Sequence, residues 1–223
     1  MTRVHDMGGR FGDGPVVPEP EDHIFAEDWH KRALAMTLAC GALGQWNIDT
    51  SRHARESLSP KDYARFSYYE KWMAGLADLL LAKGVVTRAE LQGATPTQSP
   101  LAERALQAEK VAEVLAQGGP ADRDPQVAVV FTVGDTVMTR RQPENIAQKG
   151  GHTRLPAYAA GVRGRILRVH GHHVLPDSAA HGLGDAPEPL YAVAFPASAL
   201  WAQPEHGCDE VVLDLWQSYL APA

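Results

Sequence analysis

Apolar residues recur at helical spacing through the first half of the chain. Ser59 followed by Pro60 is typical of a helix N-cap and first turn, and Gly84 is typical of a helix end. The apolar positions between them predict one amphipathic helix; they are Tyr63, Phe66, Tyr69, Met73, Leu76 and Leu80. Further helices are predicted over 28–40, 49–57 and 101–117, and Thr87 to Glu90 form a capping box that opens another short helix.

The period of the apolar pattern changes near residue 125. Short runs rich in β-branched residues alternate there with Gly, Pro and Asp turns, which predicts strands. The runs are 127–131, 137–140, 164–169, 190–195 and 211–216. Five short strands in about 100 residues are typical of a small barrel. The sequence therefore predicts an α+β chain, with a helical half followed by a β half.

Residues 1–25 are rich in glycine and proline and have no regular apolar period. Such a segment does not build a core of its own. It is either a disordered tail or an extended arm that lies on another surface. No apolar run is long enough to span a bilayer, and the first residues lack the apolar region of a secretory signal.

Composition narrows the classes of function. The net charge is −6, and this argues against a nucleic-acid partner, which usually requires a basic face. The chain has only two cysteines, Cys40 and Cys208, so neither a disulfide framework nor a Cys-rich metal cluster is expected. A cytoplasmic location is expected. The chain also lacks the familiar hydrolase, P-loop and zinc-protease motifs, so no self-contained catalytic set is visible.

Two groups in the helical half are candidates for chemistry. Arg52, Arg55 and Glu56 stand together on the predicted 49–57 helix, for which Asp49 or Thr50 is the expected cap. They form either a solvated helix face or an inward anion clamp, because a guanidinium binds anions through two N–H groups. Another pair, Tyr68 and Trp72, is spaced to share a helix face. These two rings either pack in a core or line a substrate pocket.

Two segments of the β half also carry polar groups. His152 and Arg154 lie in a predicted loop, where functional residues are common. The 169–185 segment is rich in histidine and aspartate, which suggests a metal site. Alternation along a strand places His170 and His172 on the opposite face from His173, however, so surface or interface histidines are the favoured interpretation.

In their order along the chain, these segments resemble the beta subunit of nitrile hydratase. The matching stretches are HDMGGRFGDGPV (5–16), SRHARES (51–57), SYYEKW (67–72), LLLAKGVVT (79–87), FTVGDTV (131–137), GHTRLPAY (151–158), LPDSAAHGLGD (175–185), LYAVAF (190–195) and VVLDLWQSYLAPA (211–223). Each stretch alone is weak evidence, but their collinear order covers nearly the whole chain. The resemblance implies an extended arm over 1–25, a helical domain over 26–124 and an SH3-like β-barrel over 125–223.

The resemblance also implies a function. Nitrile hydratases are hydro-lyases that convert nitriles to amides at a Co(III) or Fe(III) centre. In the family that metal is bound by an alpha subunit, partly through cysteines oxidised to sulfenic and sulfinic forms. The present chain would bind no metal itself, would be active only with an alpha subunit in a heterodimer or heterotetramer, and would act on a small nitrile, with no nucleic-acid or membrane partner.

Site residues follow from the resemblance position by position. Arg52 and Arg154 match the two arginines that hydrogen-bond the oxidised cysteine oxygens, and Tyr68 matches the phenol at the substrate. Ile48, Ser51 and Trp72 match residues of the substrate pocket. The residues that support the arginines are expected to be Arg55, Glu56, His152 and Asp177.

Three positions depart from the family pattern. Ser51 replaces a bulkier residue of some members and leaves more room for substrate. Asp13 stands where an aromatic residue is common, and the 142–150 segment before His152 is longer than the usual turn. Two alternative functions stay open, a thiocyanate hydrolase-type subunit and a non-catalytic activator or interaction module. In thiocyanate hydrolase the two halves are separate polypeptides, and the activators lack the β half.

Overall fold

The computed structural model describes residues 3–8, 17–18, 20, 24–97 and 99–223. The chain divides into two compact units. The helical unit contains residues 3–5 and the described residues from 17 to 119. The β unit contains residues 6–8 and 120–223. Asp13, one of the positions that depart from the family pattern, lies outside the described residues.

The described part of the helical unit contains six α-helices, which follow one another along the chain. They are α1 (Asp28–Gly41), α2 (Ile48–Glu56), α3 (Pro60–Arg65), α4 (Tyr68–Ala82), α5 (Arg88–Leu91) and α6 (Val111–Gln117), with 3-10 turns at Arg3–His5, Ala102–Arg104 and Ala108–Lys110. The predicted cap of α2 was wrong. Asn47 caps the helix by accepting from the backbone N–H of Thr50 at 2.8 Å, and Asp49 lies in the first turn of the helix, where it is buried.

The single helix predicted between Ser59 and Gly84 was also wrong, because the structure has two helices there. The backbone turns extended at Phe66, and Ser67 begins α4 with a capping box in which its N–H donates to Glu70 Oε2 at 2.7 Å. A capping box gives the backbone an alternative to continuing the first helix. The apolar period hides this break because apolar residues continue at helical spacing through both helices.

The predicted helix over 101–117 is α-helical only over 111–117. The preceding part forms two 3-10 turns, and no residue of α6 is buried. Short helices are marginal without a packed face. The helix is therefore shorter than its apolar pattern predicts because it buries nothing within the described part of its unit.

Helix α4 is the centre of the helical unit. Leu76, Leu79 and Leu80 are buried on it, and α1 and α2 pack against it. A Cβ added to Gly75 would lie 2.8 Å from Arg55 Cγ and 3.3 Å from the Arg55 backbone nitrogen. The missing side chain of Gly75 thus lets α2 approach closely and fixes the position of Arg55.

A loop after α5 is held by one carboxylate. Glu90 Oε2 accepts from the N–H of Thr87 at 2.8 Å, and Glu90 Oε1 accepts from the N–H of Thr97 at 2.8 Å. These hydrogen bonds, with those from the two threonine hydroxyls, lower the pKa of Glu90 from 4.5 to about 2. A depressed carboxyl pKa stabilises the fold above the ordinary value, and the contribution is lost as pH falls toward the folded value.

We expect Glu90→Gln to abolish this pH dependence, because an amide oxygen does not titrate and replaces only one of the two acceptors. Hydrogen exchange of the 87–97 peptide, corrected for intrinsic rates, should lose protection between about pH 5 and pH 2 in the parent chain but not in E90Q. Glu109→Gln, at an exposed glutamate, is the control. Equal pH dependence in E90Q and the parent would contradict the assignment.

The β unit contains one antiparallel sheet. Its strands are β1 (Thr136–Thr139), β2 (Arg163–His173), β3 (Glu188–Pro196), β4 (Glu210–Trp216) and β5 (Leu220–Pro222), joined in the order β4-β3-β2-β1-β5. Two short helices, α7 (Pro176–Ala179) and α8 (Ala197–Leu200), and 3-10 turns at Ala157–Ala159 and Gln217–Tyr219 connect them. The α+β class is therefore confirmed.

The sheet must curl strongly. Strands β4 and β5 form its opposite edges, yet only the three residues Gln217–Tyr219 separate them in sequence. The edges of a flat five-stranded sheet would lie about 19 Å apart, whereas so short a connection spans at most about 14 Å. Within the described residues β4 and β5 do not pair with each other, so the hydrogen-bonded ladder is open rather than closed.

The core of the β unit lies inside this curl. It is formed by Phe131, Val137, Leu155, Ile166, Tyr191, Val193, Phe195, Leu215 and Tyr219. The strand predicted over 127–131 was wrong, because side chains rather than a neighbouring strand bind its backbone. His172 Nε2 donates to Val127 O at 2.7 Å, and Gln217 Oε1 accepts from Val130 N–H at 2.9 Å.

Residues 6–8 lie against the 156–158 turn of the β unit. The N–H of Ala157 donates to Asp6 Oδ2 at 3.0 Å, and a Cβ on Gly8 would lie 2.8 Å from Tyr158 Cε1. These contacts account for the Asp and the first Gly of the N-terminal motif. Among the described helices, none has both the length and the apolar character needed to cross a membrane.

Candidate functional site

A cleft of about 730 Å³ lies in the helical unit. That volume suits a small organic ligand. Seven residues proposed from the sequence line it together, and they are Ile48, Ser51, Arg52, Arg55, Glu56, Tyr68 and Trp72. Helix α2 contributes the arginines and α4 contributes the aromatic rings, so the packing of α2 on α4 brings the two groups to one place.

Arg52 is held from one side. Its Nη1 donates to Asp49 Oδ1 at 2.8 Å, one turn back on α2. The Asp49 side chain is only 10% exposed, whereas that of Arg52 is 38% exposed. Among the described residues, the Arg52 guanidinium pairs with the Asp49 carboxylate. Its other N–H groups remain available for a ligand of the cleft. A charged donor fixed in this way suits an anionic oxygen.

Arg55 belongs to the wall of the cleft. Its Nε donates to the backbone oxygen of Ser51 at 3.1 Å, and its Cζ lies 4.6 Å from the centroid of the Trp72 ring. Burial lowers the pKa of Arg55 from its ordinary value, and the neighbouring Arg52 charge adds to this effect. The arginines of α2 are therefore not a plain solvated face.

Glu56 stands between two histidines. Its Oε1 lies 3.9 Å from His5 Nδ1, and its Oε2 lies 3.9 Å from His53 Nδ1. The Glu56 side chain is 16% exposed. Burial, followed by the charge of Glu56, raises the pKa of Tyr63, which also lines the cleft. Glu56 thus supplies negative charge to the arginine-bearing wall.

Part of the cleft lining is apolar and exposed. Tyr68 is 64% exposed and Ile48 is 61% exposed. The Tyr68 and Trp72 ring centroids lie 5.4 Å apart. The sequence left open whether these rings belong to a core or a pocket. The structure places both in the cleft wall, with the Tyr68 ring largely exposed.

Several lining residues were missed by the sequence prediction. They are Thr37, Leu38, Gly41, Trp46, Asn47, Tyr63 and Lys71. Trp46 precedes the Asn47 cap, so its place in the cleft could have been predicted if the start of α2 had been assigned correctly. The residues of α1 carry no local signal, because their place in the cleft depends on how α1 packs against α4.

The second proposed arginine lies in the β unit, on a segment we call the arginine loop (residues 145–156). Arg154 is exposed, whereas His152 is 1% exposed. Asn145 Nδ2 donates to His152 O at 2.5 Å and to Asp177 O at 2.9 Å. His152 N–H donates to His181 Nε2 at 3.0 Å, so this nitrogen of His181 carries no proton. The loop backbone is therefore held by Asn145 and His181, whereas Arg154 is exposed.

Asp177 is a further anchor of the arginine loop. It is 0% exposed, and its Oδ2 accepts from the N–H of Ile146 at 2.7 Å. Burial raises the pKa of Asp177, although hydrogen bonds from Tyr219 and Ile146 oppose this effect. The sequence singled out His152 and Asp177 but missed Asn145 and Tyr219, and it pointed to His181 only as part of the histidine-rich segment considered for a metal site.

The histidines of β2 are engaged in other ways. His170 Nε2 lies 3.0 Å from Asp214 Oδ1, and His172 is buried against Val127 O. Over the described ranges, no three histidine, cysteine, aspartate or glutamate side chains are placed to hold a metal ion. Cys40, half-buried, and Cys208, exposed, are both free thiols.

Family comparison covers almost the whole chain. Residues 1–117 match the model of the nitrile hydratase beta subunit N-terminal domain, and residues 120–222 match the model of its C-terminal domain. A thiocyanate hydrolase apo-enzyme chain from Thiobacillus thioparus is 21% identical and covers 58% of this chain and all of its own, with a TM-score of 0.37. A similarity of that size supports no conclusion about fold or function.

Individual relatives give the same result. The chain is 35% identical over 225 residues to the nitrile hydratase subunit beta of Pseudomonas putida, and 33% identical over 232 residues to the low-molecular weight cobalt-containing nitrile hydratase subunit beta of Rhodococcus rhodochrous. Both alignments cover each chain completely. The cobalt-containing subunit beta of Pseudonocardia thermophila is 30% identical, with 99% of this chain and 96% of its own covered. The chain therefore belongs to the nitrile hydratase beta subunit family.

Proposed function

We propose that this chain assembles with a nitrile hydratase alpha subunit into a heterodimer, and further into a heterotetramer, that adds water to a nitrile to give the amide. The observation that carries the proposal is the cleft of the helical unit, where Arg52 is held by Asp49 at 2.8 Å beside the apolar wall of Tyr68 and Trp72. A fixed cation next to apolar rings suits an anionic group and a small organic substrate in one site.

In this proposal the arginines bind oxidised cysteines of the alpha subunit. Sulfenate and sulfinate oxygens are anionic, and an arginine fork donates two N–H groups in a fixed plane. Arg52 supplies one such fork. Arg154, exposed on the arginine loop, supplies the second. Holding the oxygens of metal-bound cysteines fixes the geometry around a metal without any ligand from this chain.

The remaining cleft residues act on the substrate. The Tyr68 phenol is exposed in the cleft and donates a hydrogen bond to the reacting nitrile or its hydrated product. Ile48 and Trp72 form the apolar wall that excludes water, and Ser51 leaves room for the substituent of the nitrile. Arg55 and Glu56 set the position and the electrostatic surroundings of Arg52.

A trivalent cobalt or iron ion in the alpha subunit would supply Lewis-acid chemistry for the hydration. Two relatives are named as cobalt-containing, which favours cobalt. The residues of this chain fit a supporting role because the cleft offers guanidinium donors, which bind anions and not metal ions. Metal analysis of the purified complex distinguishes cobalt from iron.

The proposal extends to domain organisation. Residues 1–25 form an arm that lies on the alpha subunit, 26–124 form the helical domain, and 125–223 form an SH3-like barrel. The strong curl of the sheet supports the barrel, since its two edge strands are joined by only three residues. Contacts of His5 with Glu56 and of Asp6 with Ala157 support an ordered start to the arm.

We expect the purified chain to show no nitrile hydration by itself, because its described residues hold no metal site. Co-production with the alpha subunit should give a metal-containing complex that converts a small nitrile to its amide. Product analysis by chromatography provides the measurement, and thiocyanate is assayed in parallel. Hydration by the chain alone, or a metal-loaded complex that consumes only thiocyanate, would contradict the proposal.

A further inference from the structure

Tyr219 occupies a fixed position at the centre of the β unit. It lies in the turn between β4 and β5, is 0% exposed, and belongs to the core cluster. Its backbone oxygen accepts from the N–H of Arg140 at 2.9 Å, and its ring meets that of Trp216 edge-on at 6.1 Å. A side chain packed in this way provides a rigid reference point for whatever its hydroxyl contacts.

The hydroxyl of Tyr219 contacts the arginine loop. It donates a hydrogen bond to Asp177 Oδ1 and accepts one from the backbone N–H of Arg154 at 3.2 Å. Burial and the Asp177 charge raise the pKa of Tyr219, so the phenol keeps its proton and donates at any working pH. The direction of each hydrogen bond is therefore fixed.

Asp177 connects the same hydroxyl to the start of the loop. Its second carboxylate oxygen accepts from Ile146 N–H at 2.7 Å, eight positions before Arg154. The carboxylate is fully buried and bonds to the hydroxyl and to the loop backbone at the same time. Tyr219 and Asp177 thus fix both ends of the arginine loop.

The backbone N–H of Arg154 is held by a hydrogen bond, but in the described part of the chain its side chain is not held in this way. The residue is exposed, and over the described residues no hydrogen bond or ion pair of its guanidinium is recorded. A flexible, exposed side chain is positioned chiefly by the backbone from which it extends. The position of this guanidinium is therefore set by the Arg154 backbone, whose N–H donates to the Tyr219 hydroxyl.

We propose that Tyr219, together with Asp177, is a positioning residue for Arg154, so that a buried phenol in the core determines where the guanidinium is presented. This inference rests on the proposed function, in which Arg154 binds oxidised cysteine oxygens of the alpha subunit. Misplacement of a supporting group by about 1 Å reduces turnover strongly, so removal of the hydroxyl acts on catalysis through Arg154.

The test is a double-mutant cycle on the metal-loaded complex, with Tyr219→Phe, Arg154→Lys and the double variant. We expect Y219F to lower kcat per bound metal about tenfold, with KM within about twofold. In the R154K background Y219F should lower kcat no further, because residues that act through one another are not additive. The visible absorption of the metal centre should shift in the same way in Y219F and R154K.

Tyr191→Phe is the matched control. Tyr191 is also 0% exposed in the β unit, and its hydroxyl donates to Gln217 Oε1 at 2.6 Å, away from the arginine loop. A purely structural role for Tyr219 predicts equal loss of stability in Y219F and Y191F and no change in kcat per metal. That result, or an additive effect in R154K, would overturn the inference.

Two further arms keep the test decisive. If Y219F gives no folded complex, Thr153→Val removes the loop hydroxyl that bonds Tyr219 and is carried through the same cycle with the same expected non-additivity. If R154K itself keeps parental kcat and absorption, the proposed role of Arg154 is wrong, and this outcome is distinct from an inactive R154K combined with a silent Y219F.

Discussion

Arg52→Lys should lower the turnover of the assembled, metal-loaded enzyme by about 10²–10³-fold, the loss usual for removal of one donor at a charged centre. Lysine keeps the charge and can still pair with Asp49, so the fold of α2 is preserved. It cannot, however, donate to Asp49 and present a planar pair of N–H groups to the cleft at the same time. Steady-state kinetics per bound metal, with assembly checked by size-exclusion chromatography, provides the measurement.

Arg65→Lys is the matched control for this variant. Arg65 pairs with Asp62 three positions earlier at 2.7 Å, as Arg52 pairs with Asp49, but it lies on α3 with 59% of its side chain exposed. An exposed pair of this kind contributes little to stability, and R65K should keep full activity. Parental turnover in R52K with intact assembly would show that Arg52 has no part in the chemistry.

Gly151→Ala should destabilise the β unit by about 2–4 kcal/mol through overpacking and lost buried hydrogen bonds. A Cβ at this position would lie 2.5 Å from His181 Nε2 and 2.7 Å from Asn145 Nδ2. Neither side chain can yield cheaply. Asn145 is buried and binds the backbone of the arginine loop and of Asp177, while His181 accepts from His152 N–H.

Calorimetric unfolding of the complex, with hydrogen exchange over 145–156, measures this effect. Gly207→Ala is the control, since Gly207 lies in the same unit and a Cβ there meets nothing within 4 Å; it should change stability by no more than about 0.5 kcal/mol. If G151A and G207A unfold alike and protect the loop equally, the loop is not held by the buried network described above.

Some local signals in the sequence predicted the local structure correctly. Ser59 and Pro60 begin α3, and the Thr87 to Glu90 capping box begins α5 as expected. The break before Ser67 was missed because its capping box lies within a continuous apolar pattern. The strand over 127–131 was predicted from composition, but no neighbouring strand is available to pair with it.

The residues of the site also fall into two groups, those that the sequence predicted and those that it did not. The residues of α2 and α4 in the cleft could be named from motifs, because the contributing residues of each helix are close in sequence. The partners that hold them could not. Asp49 looked like a cap rather than the buried partner of Arg52, and Tyr219 bonds Asp177 from 42 positions away. Contacts at such separation leave no periodic trace in a single sequence.

The curled sheet has a consequence for chain entropy. The close approach of Gly75 to Arg55 closes a loop of about 20 residues, whereas the pairing of Val137 with Pro222 closes one of about 85. With closure cost rising as the logarithm of loop length, the second contact costs about 1 kcal/mol more than the first. That extra cost falls on β5, a strand of three residues. The turn that carries Tyr219 immediately precedes this strand, so the phenol beneath Arg154 belongs to the longest-range closure of the sheet.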